Sequence, residues 1–583
     1  MDPTSSLTQT MVAKAHEAVG LAVSFLDTSS DPKLLSLQDV VSNTSEAYPS
    51  VHSPYWDRIL STVVRMWHLY APKVLEVVVG VTPPLFISVP LFLLSAPIIG
   101  YVIYQLYFHP LAKYPGPLWA KLSGSRRAYH AWRGDLHYDM WECHQKYDIY
   151  GHNKNMQKSL PYLAMVHNTP STFTLVNKKE HAWKKRILSQ KFSDSAIRSY
   201  EPEVLKLVDR FCDAFVLCPK PSEKEKSESA TPETKSAWSE PFNMATWCDN
   251  LFFDLMTTTV FGECLDLLRS QWYRYVPEAL SRSNKRISVI VQWPMIAYRR
   301  LDKILFKDSV HGRKEFLRFV HNLVTDRLTR GTRKGDVFSG LLDASDPTTG
   351  NKLSRDEIVA ESILMIVAGS DTSSTLLASM FFYLARNPEK KARLVKEVRS
   401  CFATREDVRL GARLNSCRYL QACISECLRM APPVASAPFR EVTAGGAVVD
   451  GHYLPEGTNV GTGIYSIQHN EQYFPHPFEF LPERWLEQEN PYGVNVNEAL
   501  VPFSIGPRAC LGKALAISEG TLLTAYVCWM LDFEIVESMK DVGGGSRNGR
   551  HGRHRPDEYQ LYDHITSARN GPWIKFRRRT LEF

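Results

Sequence analysis

The chain has 583 residues, of which 44% are hydrophobic, so it can bury a sizeable core, and its formal net charge of +7 is modest for that length. The basic clusters at 547–555 and 577–579 lack the interleaved aromatic residues of a nucleic-acid groove, so we expect no nucleic acid as a partner. The eleven cysteines are scattered without a CxxC pair, which argues against a zinc site or a disulfide framework and favours a reduced, cytosol-facing body.

Near the N-terminus, residues 77–108 form an apolar segment without a charged residue. Because a membrane-spanning helix needs about 20 apolar residues, this segment predicts a retained single-pass anchor. Its four prolines oppose a regular helix, and a buried core helix is the alternative. Slightly more basic residues follow the segment than precede it. Since basic residues are enriched on the cytosolic side of a membrane, this predicts that residues 1–76 form a lumenal extension. Asn43, in an Asn-Thr-Ser triplet, is then a candidate glycosylation acceptor.

After the anchor, helical patterns dominate and predict a mainly α fold with a minor β region towards the C-terminus. Two stretches interrupt these patterns, 219–235 and 541–560. The first is built largely from Lys, Glu, Ser, Pro and Thr, and the second carries a Gly-Gly-Gly run with scattered Arg and His. Such compositions predict disordered surface insertions.

The clearest element is a long helix predicted over 353–386. Ser354 and Glu357 have the spacing of a capping box, and Asn387-Pro388 ends the helix and begins the next one. About 32 residues at ~1.5 Å each give roughly 48 Å, enough to cross a whole domain.

A polar segment, AGSDTSST at 368–375, interrupts the middle of this apolar helix. Its glycine costs about 1 kcal/mol relative to alanine, and its hydroxyl side chains can bond back to the carbonyl four residues earlier. Such a defect in a buried helix suggests function, and a structural kink with an exposed Asp is the alternative.

Further along, Glu426 and Arg429 are three residues apart in CISECLRM, so they can pair on one helix face. Such a pair is usually a weak surface contact.

The most informative stretch is FSIGPRACLG, residues 503–512, which places Cys510 in a loop that opens into an apolar helix. Free backbone N–H groups at a helix N-terminus stabilise a thiolate. Gly506 and Gly512 would let the backbone approach a flat ligand, Arg508 offers a cation for a carboxylate of that ligand, and Phe503 could shield the sulfur. These features describe an axial thiolate ligand for haem iron. A buried structural cysteine is the alternative.

FSIGPRACLG resembles the haem-ligand loop of the cytochrome P-450 family, Phe-x-x-Gly-x-Arg-x-Cys-x-Gly, at all five fixed positions. The resemblance covers about residues 105–583 and implies one large helical catalytic domain, 109–583, with the cytochrome P-450 fold. Through YFHPLAKYPGP at 107–117 it extends to filamentous-fungal members that oxidise secondary metabolites or aromatic acids.

The resemblance implies haem b, held by Cys510, and a monooxygenase that inserts one atom of O2 into a hydrophobic substrate such as a polyketide or terpenoid. It also implies an NADPH-dependent flavoprotein reductase, docking near Arg508 and Lys513, and a place in the endoplasmic reticulum membrane with the catalytic domain in the cytosol.

By the same resemblance, AGSDTSST matches the family's Ala/Gly-Gly-x-Asp/Glu-Thr motif. Thr372 would hold a water near the bound dioxygen, and Asp371 would relay protons from outside. Glu426, Arg429 and Arg484 of FLPERW would form a buried structural triad that fixes the Cys510 loop.

Cations for the two haem carboxylates are implied at Arg508, Arg440 and Lys185. Lys185 and His181 match a basic family helix in HAWKKRILS, where Lys replaces the more usual Arg and Arg186 is the alternative cation. Substrate contacts are expected from three mostly apolar stretches, 363–367, 434–437 and 565–567.

One feature departs from the family pattern. Tyr147 is followed at once by Asp148, where the family places a β-hairpin. A protein of the same fold that is inactive, or that performs a non-oxidative rearrangement, is therefore an alternative to the monooxygenase. A membrane scaffold without enzymatic activity, with Cys510 merely buried, is a further one. The intact Asp371-Thr372 pair favours oxygen activation.

Overall fold

A computed structural model describes residues 95–146, 156–216, 238–329, 336–449, 451–490, 496–550 and 552–579. All of these residues belong to one compact unit that spans 90–583. Several predictions fall outside them: the extension 1–76 with Asn43, the first part of the anchor, the 219–235 insertion and the junction after Lys146.

Helices dominate the described residues, and the structure is about 59% helical, which confirms the mainly α prediction. The α-helices of these ranges are α1 (Leu118–Leu122), α2 (Ser125–Arg133), α3 (Leu136–Lys146), α4 (Lys178–Ser189), α5 (Asp194–Val216), α6 (Met244–Phe261), α7 (Tyr275–Gln292), α8 (Leu301–Leu305), α9 (Lys307–Thr329), α10 (Val337–Asp343), α11 (Arg355–Arg386), α12 (Pro388–Cys401), α13 (Ala412–Asn415), α14 (Arg418–Met430), α15 (Ile464–Gln468) and α16 (Lys513–Met530).

The strands are short and form small antiparallel sheets. They are β1 (Met156–Lys158), β2 (Phe242–Asn243), β3 (Arg440–Val442), β4 (Ala447–Val449), β5 (His452–Leu454), β6 (Asn459–Val460), β7 (Leu531–Ile535), β8 (Tyr562–His564), β9 (Thr566–Ala568) and β10 (Trp573–Arg578). Their order is β1-β3-β6 and β2-β10-β7 in two three-stranded sheets, with β4-β5 and β8-β9 as separate pairs. The sheets confirm a minor β region, and most strands lie towards the C-terminus as predicted, but β1 and β2 come from earlier parts of the chain.

Helix α11 is the central element of the core. Its start is fixed by the predicted capping box: the Ser354 hydroxyl accepts a hydrogen bond from Glu357 N at 3.3 Å, and Glu357 Oε2 accepts one from Ser354 N at 2.7 Å. The helix packs against α6, α14 and α16. Gly369 lets α6 approach closely, because an added Cβ would collide with Met256 Sδ.

Within the described part of the chain, α11 is also the helix that is long and apolar enough to cross a membrane. Most of its apolar window is buried against the rest of the fold, as in a soluble core helix. Of the predicted anchor, residues 95–103 are α-helical and Tyr104–Phe108 form a π-helical turn. Ile98, Ile99, Tyr107 and Phe108 are exposed. The anchor stays a prediction.

The 541–560 stretch differs from the disordered insertion that its composition predicts. Its described residues form packed turns, in which Gly545 N donates to Arg555 O and Ser546 N donates to Arg553 O, both at 2.8 Å. The Arg553 guanidinium donates to the carbonyls of Gly134 and Leu561, each at 3.0 Å. From composition alone, the arginines of this stretch are expected to be solvated. In the structure, Arg553 instead ties the segment to the helical body.

Candidate active site

A cavity of about 540 Å³ lies between α11, the Cys510 loop, α4 and α7. Cys510 and Phe503 line it from the loop, and Ala368, Gly369 and Thr372 line it from the polar middle of α11. The structure therefore brings together the two motifs that the sequence analysis treats as functional, although they are far apart in the chain.

The Cys510 loop contains a short 3₁₀ turn over Gly506–Arg508, and α16 begins after Cys510, at Lys513. Gly506 has a φ of +73°, which an L-residue with a side chain rarely adopts, and Cys510 N donates to Phe503 O at 2.9 Å. Burial raises the pKa of the Cys510 thiol. The Gly512 N–H and the charges of Lys185 and Lys513 act in the opposite direction and favour the thiolate.

Behind this loop, Glu426, Arg429 and Arg484 form the predicted contacts and are almost fully buried. Arg429 Nε donates to Glu426 Oε2 at 2.8 Å, Arg429 Nη2 donates to Oε1 at 2.9 Å, and Arg484 Nε donates to Oε1 at 3.1 Å. The two guanidinium groups also donate to main-chain carbonyls between 468 and 479. The triad thus ties α14 to the segment that leads into the Cys510 loop.

Arg440 and Arg508 both line the cavity. Arg508 donates to Leu175 O at 2.6 Å and to Val176 O at 3.0 Å. Arg440 donates through Nη1 alone, to the carbonyls of Pro438 and Phe439. Burial, with a smaller effect from the charge of Arg440, lowers the pKa of Arg508 to about 10. Among the described residues neither guanidinium pairs with a carboxylate, so both can receive a carboxylate from a ligand.

On α4, His181 and Lys185 line the cavity, and the role of Lys185 towards a haem carboxylate stays a prediction. Its ammonium donates to Pro507 O at 2.8 Å and to Ala509 O at 3.2 Å, so it clamps the loop that carries Cys510. Burial lowers the pKa of His181 to about 4, helped by the charges of Arg508 and other nearby cations, so its imidazole is neutral.

The alternative cation, Arg186, is not a cavity residue. It forms a two-pronged pair with Asp346, at 2.8 and 2.7 Å. Arg186 therefore does not replace Lys185 at the site.

The hydroxyls in the middle of α11 bond back along the helix as predicted. Thr372 Oγ1 donates to Ala368 O at 2.6 Å, and Ser370 Oγ donates to Ile366 O at 2.7 Å. Each such bond lets a hydroxyl sit in a helix interior while its remaining lone pairs stay free to accept. Thr372 faces the cavity with that acceptor capacity.

Asp371 lies beside Thr372 but is not itself a cavity-lining residue. Its Oδ2 accepts from Thr566 Oγ1 at 2.9 Å and from Asn284 Nδ2 at 3.3 Å, and both of these partners line the cavity. Burial raises the pKa of Asp371 to about 6; the charge of Asp249 adds to this effect and the charge of Arg569 opposes it. The side chain can therefore hold or release a proton close to neutral pH.

A second polar group continues from Asp371 towards the surface. Asp249 accepts a hydrogen bond from Ser374 Oγ at 2.8 Å and one from Arg569, whose guanidinium also donates to Ser374 Oγ at 2.5 Å. The Asp249 side chain is 34% exposed, whereas that of Arg569 is buried. Sequence reasoning missed this group, because Asp249, Ser374 and Arg569 come from three distant parts of the chain.

The family model described as Cytochrome P450 matches residues 104–541. The chain belongs to the cytochrome P450 family. It is 40% identical over 513 residues to cytochrome P450 monooxygenase poxM of Penicillium oxalicum, a match that covers 84% of this chain and 94% of the relative. It is 41% identical over 517 residues to cytochrome P450 monooxygenase AKT7 of Alternaria alternata, covering 83% and 97%. A cytochrome P450 monooxygenase of Gibberella zeae is 43% identical over 439 residues, covering 74% and 97%.

This P450 is thus an oxidoreductase of the monooxygenase class, and its cofactor is haem with an axial cysteine thiolate. The cavity fits that cofactor. Its wall holds the Cys510 sulfur, two arginines that have no carboxylate partner among the described residues, and Gly512, at which an added Cβ would lie 4.0 Å from that sulfur. The alternatives of an inactive protein, a rearrangement catalyst or a scaffold gain no support from the relatives, which are named as monooxygenases.

The predicted substrate-contact stretches line the P450 cavity in part. Ile363, Leu364, Met365 and Val367 do so on α11, whereas Ile366 points into the core. Val434, Ser436 and Ala437 line it from the second stretch, and Ile565 and Thr566 from the third. Ser567 is buried and donates its N–H to Pro433 O at 2.9 Å instead.

Sequence reasoning missed four buried ionisable residues that line the P450 cavity: Lys158, Glu361, Glu519 and Asp563. Glu361, on α11, accepts from Thr172 N at 2.6 Å and from Thr172 Oγ1 at 2.7 Å, and burial raises its pKa to about 7. An acidic residue inside an apolar helical run was the available signal. Lys158, at the end of β1, also lines the cavity, and nothing in its local sequence distinguishes it from a surface lysine.

Proposed function

We propose that this P450 oxidises a hydrophobic small molecule of fungal secondary metabolism, of the polyketide or terpenoid type. The observation that carries the proposal is the single cavity that joins Cys510 to Thr372 and is otherwise walled mainly by apolar side chains such as Leu364, Val434 and Ile565. Its volume of about 540 Å³ has to hold the haem as well as the substrate, so the substrate occupies only part of it. The fungal origin of the relatives supports the metabolic setting.

In this proposal Cys510 is the iron ligand, and Arg440 and Arg508 hold the haem carboxylates. Haem supplies the iron that binds O2 and takes up electrons. The chain's own contribution is to place groups around that centre. Lys185 fixes the loop by its two bonds to loop carbonyls, and the neutral His181 offers a ring N–H without adding charge.

Proton supply is assigned to Asp371 and Thr372. Thr372 Oγ1 has free lone pairs that can hold a water in the cavity. Asp371, with a pKa of about 6, can take up a proton and pass it on near neutral pH. Asp249 and Arg569 would connect this pair to solvent, because Asp249 is partly exposed.

Electrons would come from an NADPH-dependent flavoprotein reductase that docks on the outer side of the Cys510 loop. Ile505, Gly506 and Pro507 are exposed there, and Lys513 adds a surface cation. This arrangement supports a short path from an acidic partner to the iron ligand.

We also propose that residues 77–108 anchor the protein in the endoplasmic reticulum membrane, with 1–76 lumenal and the catalytic domain 109–583 cytosolic. Exposed apolar side chains on two segments support contact of the body with a bilayer: Leu118 on α1, and Ile304 and Leu305 on α8. Helix α1 contacts α2, and Phe306, the residue after α8, packs against the apolar cluster that contains Ala128 and Ala131 of α2.

The test is a carbon monoxide difference spectrum of the dithionite-reduced protein. We expect a thiolate-type Soret shift for the wild type and for Cys264→Ala, a matched change at an exposed cysteine outside the cavity, and none for Cys510→Ala. A nitrogen-type spectrum from the wild type, or a thiolate-type spectrum from Cys510→Ala, would overturn the assignment. Metabolite profiling after deletion of the gene then tests the substrate class: no change in apolar metabolites contradicts it.

A further inference from the structure

Helix α7 presents a row of polar side chains to a cavity that is otherwise walled mainly by apolar ones. Asn284, Ser288 and Gln292 are spaced four residues apart, so they form one ridge of the helix, and all three line the cavity. The adjacent ridge also lines the cavity, and it carries the apolar residues Ile287 and Val291. A molecule bound against α7 therefore meets one polar edge and one apolar edge.

The amide group of Asn284 is held in one orientation by its neighbours. Its Nδ2 donates to Thr566 Oγ1 at 3.1 Å and to Asp371 Oδ2 at 3.3 Å. Because both partners accept these bonds, the nitrogen faces them and the amide oxygen faces away from them. Among the described residues this oxygen accepts no hydrogen bond. Asn284 thus leaves an unused acceptor in the cavity wall, next to the acid of the polar segment of α11.

Gln292, the last residue of α7, leaves a second unused acceptor. Only 8% of the residue is exposed, and in the part of the chain that the structure describes its Oε1 has no hydrogen-bond partner. Ser288, between the two amides, bonds instead within its own helix, where Oγ donates to Lys285 O at 2.8 Å. Eight residues at ~1.5 Å each separate Asn284 from Gln292 by about 12 Å along the helix.

Two acceptors without partners require hydrogen-bond donors on the bound molecule. A hydrocarbon packed against α7 would keep water away from both amide oxygens and offer them nothing in return, which is unfavourable. Ether and ketone oxygens only accept, so they do not help either. A hydroxyl group supplies the missing donor, and a site that is built to bond a hydroxyl discriminates strongly against analogues that lack it.

We propose that the substrate carries hydroxyl groups along one edge and that Asn284 and Gln292 bind two of them. The opposite, apolar edge of the substrate packs against Ile287 and Val291. The substrate is then a hydroxylated member of the class named above and not a plain hydrocarbon. A carbonyl reduction or an earlier hydroxylation must therefore precede this enzyme. The inference rests on the proposed function, since it takes the cavity as the substrate site.

The experiment measures the dissociation constants of two labelled probes for the haem-loaded full chain by equilibrium dialysis. 1,10-Decanediol is long enough to reach both amides at once, and 1,10-dimethoxydecane has the same carbon chain and the same oxygens but no donor. We expect the wild type to bind the diol at least about tenfold more tightly than the diether, because the diether leaves buried acceptors unsatisfied.

Three variants locate the origin of this preference. Asn284→Leu and Gln292→Leu should each lower the ratio of the two dissociation constants at least about threefold, since each removes one acceptor. Asn322→Leu, a matched change at an exposed position of α9, should leave the ratio unchanged. A carbon monoxide difference spectrum of each variant shows that its haem site is intact.

Equal affinity of the wild type for the two probes, or binding of neither, would overturn the inference without any variant. Variants that weaken both probes to the same extent would overturn it as well, because a purely structural change leaves the ratio intact. Failure of the proposed function is recognised separately: the wild type would then lack the thiolate-type spectrum, whichever probe it binds.

Discussion

The substitution Glu426→Gln tests the buried triad behind the Cys510 loop. The two carboxylate oxygens of Glu426 accept five hydrogen bonds: three from Arg429 and Arg484, one from Leu481 N at 2.9 Å and one from Trp485 Nε1 at 3.0 Å. An amide offers one oxygen and turns an N–H₂ group towards the remaining donors. It also leaves two buried guanidinium groups without a counter-charge.

We expect this change to cost about 3–5 kcal/mol of unfolding free energy, the range for breaking a buried ion pair from one side. That is a large share of the roughly 5–15 kcal/mol that typically separates folded from unfolded protein. Burial alone would raise the pKa of Glu426, but the charges and hydrogen bonds of Arg429 and Arg484 lower it below 4.5. The stability that Glu426 contributes is therefore present above pH 4.5 and is lost as pH falls towards the lowered pKa.

The assay is urea unfolding of the haem-loaded protein, followed by Soret absorbance and by circular dichroism. Glu483→Gln is the matched control. Glu483 is partly exposed and pairs with Lys390 at 3.2 Å, and a Gln keeps an oxygen for the hydrogen bond from Tyr419 Oη at 2.9 Å, so the change should cost about 0–1 kcal/mol. The reasoning is refuted if Glu426→Gln keeps full haem content and unfolds within 1 kcal/mol of the control.

Three further predictions concern α11. Thr372→Ala should keep haem but lower the ratio of product to NADPH consumed by roughly tenfold or more, with peroxide released instead; unchanged coupling would contradict the proton-supply role. The pKa of Asp371 is about 6 in the folded protein against the usual 3.8, so the stability of the fold falls as pH rises from about 3.8 to about 6. Asp371→Asn should therefore flatten the profile of Tm against pH in this interval. A variant profile that runs parallel to that of the wild type would contradict the prediction. Glu361→Gln keeps an oxygen for the two Thr172 bonds, so at about pH 8, above the raised pKa of Glu361, it should be at least as stable in urea as the wild type. Glu361→Leu removes that acceptor and should lose about 1–3 kcal/mol of unfolding free energy. A Leu variant more stable than the Gln variant would contradict this prediction.

How far the sequence predicts this structure depends on how local each signal is. Helix α11 begins one residue after Ser354 and ends just before Asn387, because a capping box and an Asn-Pro step act within a few residues. The Cys510 loop and the Glu426 triad are non-local, and they were predictable only because their motifs resemble a family pattern.

Other parts could not be predicted because they depend on partners distant in the chain. Lys158 lies opposite Arg440 because of the register between β1 and β3, which no local sequence pattern encodes. Lys185 donates to loop carbonyls more than 300 residues away, so its residue type alone does not reveal whether it holds a ligand or the chain. In the 541–560 stretch, polar composition suggests disorder, but Arg553 and Arg555 form internal bonds that composition does not count.

The acid Asp371 is held by donors from two other elements, Asn284 of α7 and Thr566 of β9. Both donors favour its ionised form, so a shift of α7 away from α11 would make the acid keep its proton more tightly. Helix α7 also lines the cavity. A bound substrate that moves α7 outwards would therefore give Asp371 a higher pKa than a substrate that leaves α7 in place. The rate at which Asp371 delivers protons would then depend on how the substrate fits the cavity.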